Sequence, residues 1–170
     1  TVSSGIRKAA ENPLTAREDR HTFSISLEQG DITNQKQSGR CWMFAALNTM
    51  RFQVMRHLNL KTFELSQAYP LFYDKLEKSN YFLENILETL EEPTEGRLIA
   101  FLLSLPLGDG GQWDMFVGLA EKYGVVPKEA MPESFSSSAT ADMDAYMTEK
   151  LREDACILRT AYQIGTSKVA

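Results

Sequence analysis

The sequence predicts an α+β fold in which helices dominate and one strand lies near the N-terminus. Several segments carry apolar residues at the spacing of an amphipathic helix, and one segment alternates apolar and polar residues like a half-buried strand. The chain has 170 residues, of which 43% are hydrophobic, enough for one domain with a substantial core. Because a single strand needs a pairing partner, we expect further polypeptide to complete the fold.

The N-terminal part contains an approach segment, the strand and the first long helix. Residues 1–20 are polar and charged, with a turn expected at "NPLT". In "HTFSISLEQG" the residues Phe23, Ile25 and Leu27 share one face, which predicts the strand. The polar loop "DITNQKQSGR" follows, and an apolar stripe then predicts a helix from residue 41 to about residue 58.

The remaining elements are predicted to be helices joined by turns. "FELSQAYPLFYDKLEKSNYFLENILETL" indicates helical segments broken before Pro70 and again near Pro93. "EGRLIAFLLSLPLG" predicts a further helix, and "QWDMFVGLAEKYGVV" another that Gly124 could cap. "MPESFSSSATAD" is expected to be a loop, and "DMDAYMTEKLREDACILRTAYQIG" a last helix with Cys156 beside its apolar stripe.

Composition and charge exclude several classes of function. The net charge of -5 and the pI near 5.1 argue against a nucleic-acid partner, whose phosphates would have to be neutralised. No apolar run of 18 residues and no signal-peptide pattern occur, so we expect no membrane span. The sequence does not begin with Met, which suggests processing or a start inside a longer protein.

The two cysteines, Cys41 and Cys156, do not form a disulfide framework, and a reducing, cytosolic setting is the simplest interpretation. Together with His21 and His57 they show no regular ligand spacing. We therefore expect no metal site and no cofactor.

Cys41 stands where a polar loop meets the first long helix. A helix N-terminus favours a thiolate through its unpaired N–H groups and its dipole, Arg40 adds positive charge nearby, and Gly39 permits a close turn. The same N–H groups could hold an oxyanion, with the Gln35 side-chain amide as a second donor. The alternative is a small buried residue at a helix start, because free cysteine is among the most buried residue types. From the residues alone, both interpretations stand.

The motif resembles a known family. Gln35, followed by Cys41, Trp42 and an apolar helix, resembles the active-site segment of papain-like cysteine peptidases, and "NQKQSGRCWMFAALN" is closest to the bleomycin hydrolase and aminopeptidase C branch. "ELSQ" (64–67) is similar to the segment that opens the family's next helix. "GDGGQWDMFVGLAEKYGVVPKEAMPES" (108–134) is similar to the glycine segment that lines the substrate cleft.

The resemblance implies a papain-like fold, of which this chain is mainly the helical half with an N-terminal strand. It implies an approach segment at 1–21, the helical half of a catalytic domain at 22–135, and the start of a family-specific helical insertion at 136–170. Secreted relatives carry paired cysteines where this sequence has Ser38 and Gly108. Their joint absence fits a cytosolic branch.

The implied function is that of a cysteine aminopeptidase, which removes N-terminal residues from peptides through a thioester, assembled as a homohexamer. Cys41 would be the nucleophile, with its backbone N–H in the oxyanion hole beside the Gln35 amide. Gly110 and Gly111 would give backbone hydrogen bonds to the substrate, and Trp42 would pack the helix start beside them.

The resemblance also implies a catalytic histidine and asparagine far downstream. This chain has only His21, ahead of the strand, and His57, on the same helix as Cys41 but roughly 24 Å away by helical rise. Geometry does not exclude His21 as the base, but the family motif does not place its base there. We therefore expect a second chain or a missing C-terminal part to supply both residues.

Two alternatives remain at this point. The chain could be a non-catalytic helical interaction module, since it lacks a usable base, although the position of Gln35 suits an oxyanion donor. It could also belong to another class of cysteine acyl-transfer enzyme, such as an amidotransferase. That class places its nucleophile on a strand-to-helix elbow, whereas a polar loop precedes Cys41.

Overall fold

The computed structural model describes residues 5–12, 14–18, 22–25 and 30–165, and their regular structure is helical. The elements are α1 (Gly5–Ala10), α2 (Thr15–Glu18), α3 (Cys41–Leu58), α4 (Ala68–Glu88), α5 (Arg97–Ser104), α6 (Trp113–Tyr123), a 3-10 turn (Lys128–Ala130), α7 (Phe135–Ser138) and α8 (Ala141–Gln163). Among these described helices, none is long and apolar enough to cross a membrane.

The long helices lie where the sequence predicts them. Helix α3 spans the predicted residues and ends at Asn59, whose left-handed conformation turns its N–H to the Met55 carbonyl. Helix α6 ends at Gly124, with φ of 77°, a conformation that favours glycine. The turn at "NPLT" is confirmed by a 3.1 Å hydrogen bond from the Thr15 N–H to the Asn12 carbonyl.

Two local predictions are wrong. Helix α4 is not broken before Pro70, because Pro70 lies in its first turn, where the missing N–H has no acceptor to lose. The predicted loop around residue 135 contains α7, which a capping box between Ser134 and Ser137 stabilises.

The predicted N-terminal strand is not confirmed. Residues 22–25 are exposed and form no ladder with the described residues, with Phe23 82% exposed. Residues 21 and 26–29 lie outside the described residues. A strand of this length gains little without a partner strand, which is the physical reason for the difference.

Helix α4 is central to the core. One apolar cluster joins it to α3 and α6, and a second joins it to α5 and α8, so α4 links the two halves of the described fold. The buried members of the first cluster are Met43, Ala46, Leu47, Leu65, Leu71, Phe116 and Leu119. Those of the second are Phe82, Ile86, Leu107, Leu151 and Ala155.

Two arginines of α8 bond the ends of the neighbouring helices. The guanidinium of Arg159 donates to the carbonyls of Thr89 at 3.0 Å and Glu92 at 2.6 Å, just past the end of α4. Arg152 donates to the Leu103 carbonyl at 2.9 Å, in the last turn of α5. The carbonyls at a helix C-terminus lack intrahelical partners, and a cation there is favourable. Helix α8 therefore stabilises both helix ends.

Candidate active site

Cys41 is the first residue of α3 and is exposed. In the described part of the chain, no side chain caps this helix end, so its first N–H groups keep their hydrogen-bonding capacity. The thiol therefore stands beside free donors at the positive end of an 18-residue helix. Such an arrangement can stabilise a thiolate, and can stabilise an oxyanion formed when the sulfur attacks a carbonyl.

Arg40 does not serve Cys41 as predicted. Its side chain is only 1% exposed and forms two 2.9 Å bonds with the Glu133 carboxylate. Its Nε donates to Ser38 Oγ at 2.9 Å. Because Glu133 neutralises this charge, the prediction that Arg40 adds positive charge for the thiol is corrected. Arg40 instead joins the loop before α3 to the segment before α7.

The pairing with Arg40 affects the pKa of Glu133. Burial acts to raise the pKa of Glu133, but hydrogen bonds from Arg40 and Ser137 outweigh it, and the pKa lies below its usual value. The carboxylate thus stays ionised opposite the buried guanidinium.

Gln35 belongs to the turn that this pair supports. Its carbonyl accepts a 2.6 Å hydrogen bond from Ser38 Oγ, which in turn accepts from Arg40. Lys36, the next residue, is in the left-handed region with φ of 53°. Among the described residues, the Gln35 side-chain amide has no hydrogen-bond partner. The backbone of this residue is therefore fixed while its amide remains available.

Residues 108–111, the glycine segment, are held by their carbonyl oxygens. Lys78 Nζ donates to the carbonyls of Gly108 at 2.8 Å and Gly110 at 2.7 Å. Trp42 Nε1 donates to the intervening Asp109 carbonyl at 2.9 Å. A Cβ atom on Gly111 would lie 2.4 Å from Trp42 Cε2, so only glycine allows the indole ring to pack there. Trp42 thus positions the glycine segment, as well as packing the helix start.

The Asp109 side chain ties the glycine segment to the start of α3. Its carboxylate accepts from the Gly39 N–H at 2.7 Å, from Lys75 Nζ at 2.7 Å and from the Thr140 hydroxyl. Burial acts to raise the pKa of Asp109, but these hydrogen bonds outweigh it and hold the pKa well below its usual range. Gly39 lies two residues before Cys41, so this carboxylate fixes the glycine segment beside the nucleophile's helix end.

Charged residues of α4 complete this network, and the sequence did not identify them as site residues. Lys75 is 5% exposed and bridges Asp109 to Asp144 of α8, each at 2.7 Å. Asp74 is 2% exposed and accepts from Lys78 at 2.8 Å, and burial raises its pKa. The four-residue spacing of Asp74 and Lys78 was the available signal, but such pairs normally lie on solvated helix faces.

A cavity of about 480 Å³ lies between α4 and α6. Its lining includes Lys78, Tyr81 and Met115, and Lys122 is paired with Glu77 at its edge. Cys41 is not part of the lining, so this cavity is not where the thiol would meet a substrate.

The described residues do not bring a base to Cys41. His57 lies in the last turn of α3 and is exposed, at the opposite end of the helix. His21 lies outside the described residues. In the same described part, no cluster of His, Cys, Asp or Glu is suited to hold a metal ion.

Comparison with known proteins gives a consistent set of relatives. The family model described as "Peptidase C1-like family" matches residues 1–170. The aminopeptidase C of Listeria monocytogenes is 54% identical over 161 residues, which cover 95% of this chain and 36% of that protein. The human bleomycin hydrolase is 45% identical over 158 residues, which cover 91% of this chain and 35% of that protein.

A solved structure is also similar. The crystal structure of PepW from Lactobacillus rhamnosis HN001 matches with a TM-score of 0.87 and 51% identity, covering 98% of this chain and 37% of that one. The chain therefore spans about a third of the length of the relatives it matches.

Proposed function

Because the chain belongs to the peptidase C1-like family, we propose that it is the nucleophile-bearing part of a cysteine aminopeptidase that hydrolyses N-terminal residues from peptides. The names of its relatives, aminopeptidase C and bleomycin hydrolase, support this activity. The observation that carries the proposal is the exposed Cys41 at the uncapped N-terminus of α3.

In the proposed mechanism, Cys41 Sγ attacks the carbonyl carbon of the first peptide bond. The resulting oxyanion is held by the Cys41 backbone N–H and the Gln35 side-chain amide, two donors that lack acceptors among the described residues. The amine leaves after protonation, a thioester remains on Cys41, and water hydrolyses it. Gly110 and Gly111 hydrogen-bond the main chain in the cleft, and Trp42 holds them in place.

The histidine that accepts the proton of Cys41, and the asparagine that orients its imidazole, are proposed to come from polypeptide outside these 170 residues. A histidine and an asparagine in the other half of a papain-like α+β fold would face Cys41 across the cleft. The same half would pair with the strand predicted near residues 22–27. Within this chain, we propose an approach segment at 1–21, the helical half at 22–135 and a helical insertion beginning at 136.

The proposed setting is the cytoplasm, and the proposed assembly is a homohexamer that acts on peptides and not on nucleic acid or membranes. Ser38 and Gly108 support a reducing compartment, because secreted papain-like enzymes carry paired cysteines at these places. The net charge of -5 agrees with a partner other than nucleic acid.

The test is the reaction of the enzyme with an epoxide-type thiol inhibitor, followed by intact-mass measurement and peptide mapping. Cys41 and Cys156 are both exposed, so a difference in their labelling rates reports reactivity and not access alone. We expect fast, single labelling at Cys41 with Cys156 unmodified, and no turnover of aminoacyl substrates by the Cys41→Ser variant. Slow labelling at equal rates would instead support a non-catalytic helical interaction module.

A further inference from the structure

The glycine segment has an uneven balance of hydrogen bonds. Three consecutive carbonyl oxygens, those of Gly108, Asp109 and Gly110, each accept a bond from a side chain of the chain itself. In the described part of the chain, the N–H groups of Gly110 and Gly111 have no acceptor. Free backbone donors next to fixed carbonyls form a ready site for an incoming carbonyl oxygen.

The fixed carbonyls determine where these donors point. All the described peptide bonds are trans, so each N–H points opposite to the carbonyl of the preceding residue. Trp42 holds the Asp109 carbonyl and thereby sets the direction of the Gly110 N–H. Lys78 holds the Gly110 carbonyl and thereby sets the direction of the Gly111 N–H, away from the ammonium group.

Lys78 joins α4 to the glycine segment, and its ammonium group also lies over the Trp42 ring, 5.5 Å from the ring centroid. Its ammonium group has three protons, and its three acceptors are the carbonyls of Gly108 and Gly110 and the carboxylate of Asp74, at 2.7 to 2.8 Å. Because two of its three hydrogen bonds go to the glycine segment, Lys78 fixes this backbone from the α4 side.

We infer that Lys78 is a positioning residue for substrate binding, because it orients the Gly110–Gly111 peptide so that the Gly111 N–H can bind a carbonyl of the extended main chain in the cleft. The inference rests on the proposed function and extends it to a residue that does not touch the substrate. Loss of Lys78 would let this peptide rotate, since glycine resists rotation less than any other residue.

The test compares variants of the complete enzyme. Lys78→Met alone would leave the buried Asp74 carboxylate without its cation, so the informative pair is Asp74→Asn and Asp74→Asn/Lys78→Met. Lys78→Arg is the conservative variant. Lys78 lines two cavities, of about 480 and 290 Å³, which leave room for the longer side chain and its fork of donors.

The matched control is Lys122→Met. Lys122 lines the same 480 Å³ cavity but pairs with Glu77, is 62% exposed and donates to no carbonyl of the glycine segment. Steady-state kinetics on an aminoacyl or short peptide substrate, together with the Tm of each variant, give the result.

We expect KM to be about tenfold higher in Asp74→Asn/Lys78→Met than in Asp74→Asn, with kcat nearly unchanged, which is the pattern for loss of a binding hydrogen bond. Lys78→Arg and Lys122→Met should stay within about threefold of the wild-type KM. A purely structural role would lower the Tm and leave KM alone.

An active enzyme in which the double variant keeps the KM of Asp74→Asn would overturn this inference and leave the proposed function intact. If the enzyme shows no Cys41-dependent turnover, the proposed function is overturned, and this inference with it.

Discussion

Replacing Gly111 by alanine should disturb the site far more than the same change at its neighbour, Gly110. A Cβ atom at Gly111 would lie 2.4, 2.5 and 2.7 Å from three atoms of the Trp42 ring, whereas ordinary contacts begin at 3.4 Å. The ring must therefore retreat by roughly the difference, about 1 Å. It cannot do so and keep its 2.9 Å hydrogen bond to the Asp109 carbonyl, because the bond would lengthen beyond hydrogen-bonding distance.

The expected cost combines two effects. Overpacking of a fixed ring costs about 1–3 kcal/mol, and the lost hydrogen bond adds about 1 kcal/mol. The free energy of unfolding should fall by about 2–4 kcal/mol, which corresponds to a Tm lower by roughly 6–12 °C in a cooperative unit of this size. Calorimetry on the enzyme gives the Tm, and kcat/KM gives the accompanying effect on the cleft.

Gly110→Ala is the control, because no atom of the described residues lies within 4 Å of its added Cβ. It should change the Tm by only a degree or two, equivalent to about 0.5 kcal/mol. Equal Tm values for the two variants would refute the reasoning, since the Trp42 ring would then be free to move.

Three further predictions concern the charged groups. Glu133→Gln should lower the free energy of unfolding, measured by urea denaturation, by about 2–3 kcal/mol, because the Arg40 guanidinium stays buried without its carboxylate partner. The 23% exposure of Glu133 keeps the loss below that of a fully buried pair. Folding lowers the pKa of Asp109, so its ionised carboxylate should stabilise the folded protein fully above pH about 4 and progressively less as the pH falls further. Asp109→Asn should therefore flatten this part of the curve of unfolding free energy against pH. Arg159→Met should lower the free energy of unfolding, measured by thermal denaturation, by about 2 kcal/mol, because two carbonyl oxygens lose a charged hydrogen-bond donor. Lys150→Met, on the exposed side of the same helix, should lower it by less than about 0.5 kcal/mol.

Each of these has an outcome that contradicts it. A Glu133→Gln variant as stable as the wild type would mean that solvent reaches the Arg40 guanidinium. An unchanged acid limb in Asp109→Asn would assign the acid sensitivity to other carboxyl groups. Equal losses for Arg159→Met and Lys150→Met would remove the stabilising role of α8 at the helix end.

The sequence was informative wherever a short stretch of chain determines the structure. Helix α3 follows from its apolar stripe, and the end of α6 follows from Gly124, because both signals are local. Pro70 was misjudged because a proline breaks a helix interior but not its first turn. Helix α7 was missed because four residues show no period, and the reciprocal bonds of Ser134 and Ser137 that cap it do not follow from an apolar pattern.

The candidate site likewise contains residues that the sequence identifies and residues that it does not. Cys41 and the glycine segment could be proposed from the sequence because the residues around them form a recognisable local pattern. Lys75 could not, because a lysine on a helix normally lies in solvent, and its burial depends on Asp109, 34 residues away, and on Asp144 of α8. Such long-range counter-charges leave no periodic pattern in the sequence.

The bridge from Asp109 through Lys75 to Asp144 has a consequence for any attempt to dissect the chain. Helix α8 holds one of the two counter-charges of a lysine that is 5% exposed, and Thr140, just ahead of α8, bonds the Asp109 carboxylate. A fragment cut before residue 140 would keep Cys41 and the glycine segment, but it would lose the Thr140 hydrogen bond to Asp109 and one of the two carboxylates that pair with Lys75. The shortest fragment that keeps all of these contacts therefore extends into α8, well beyond the last residue with a proposed part in the chemistry.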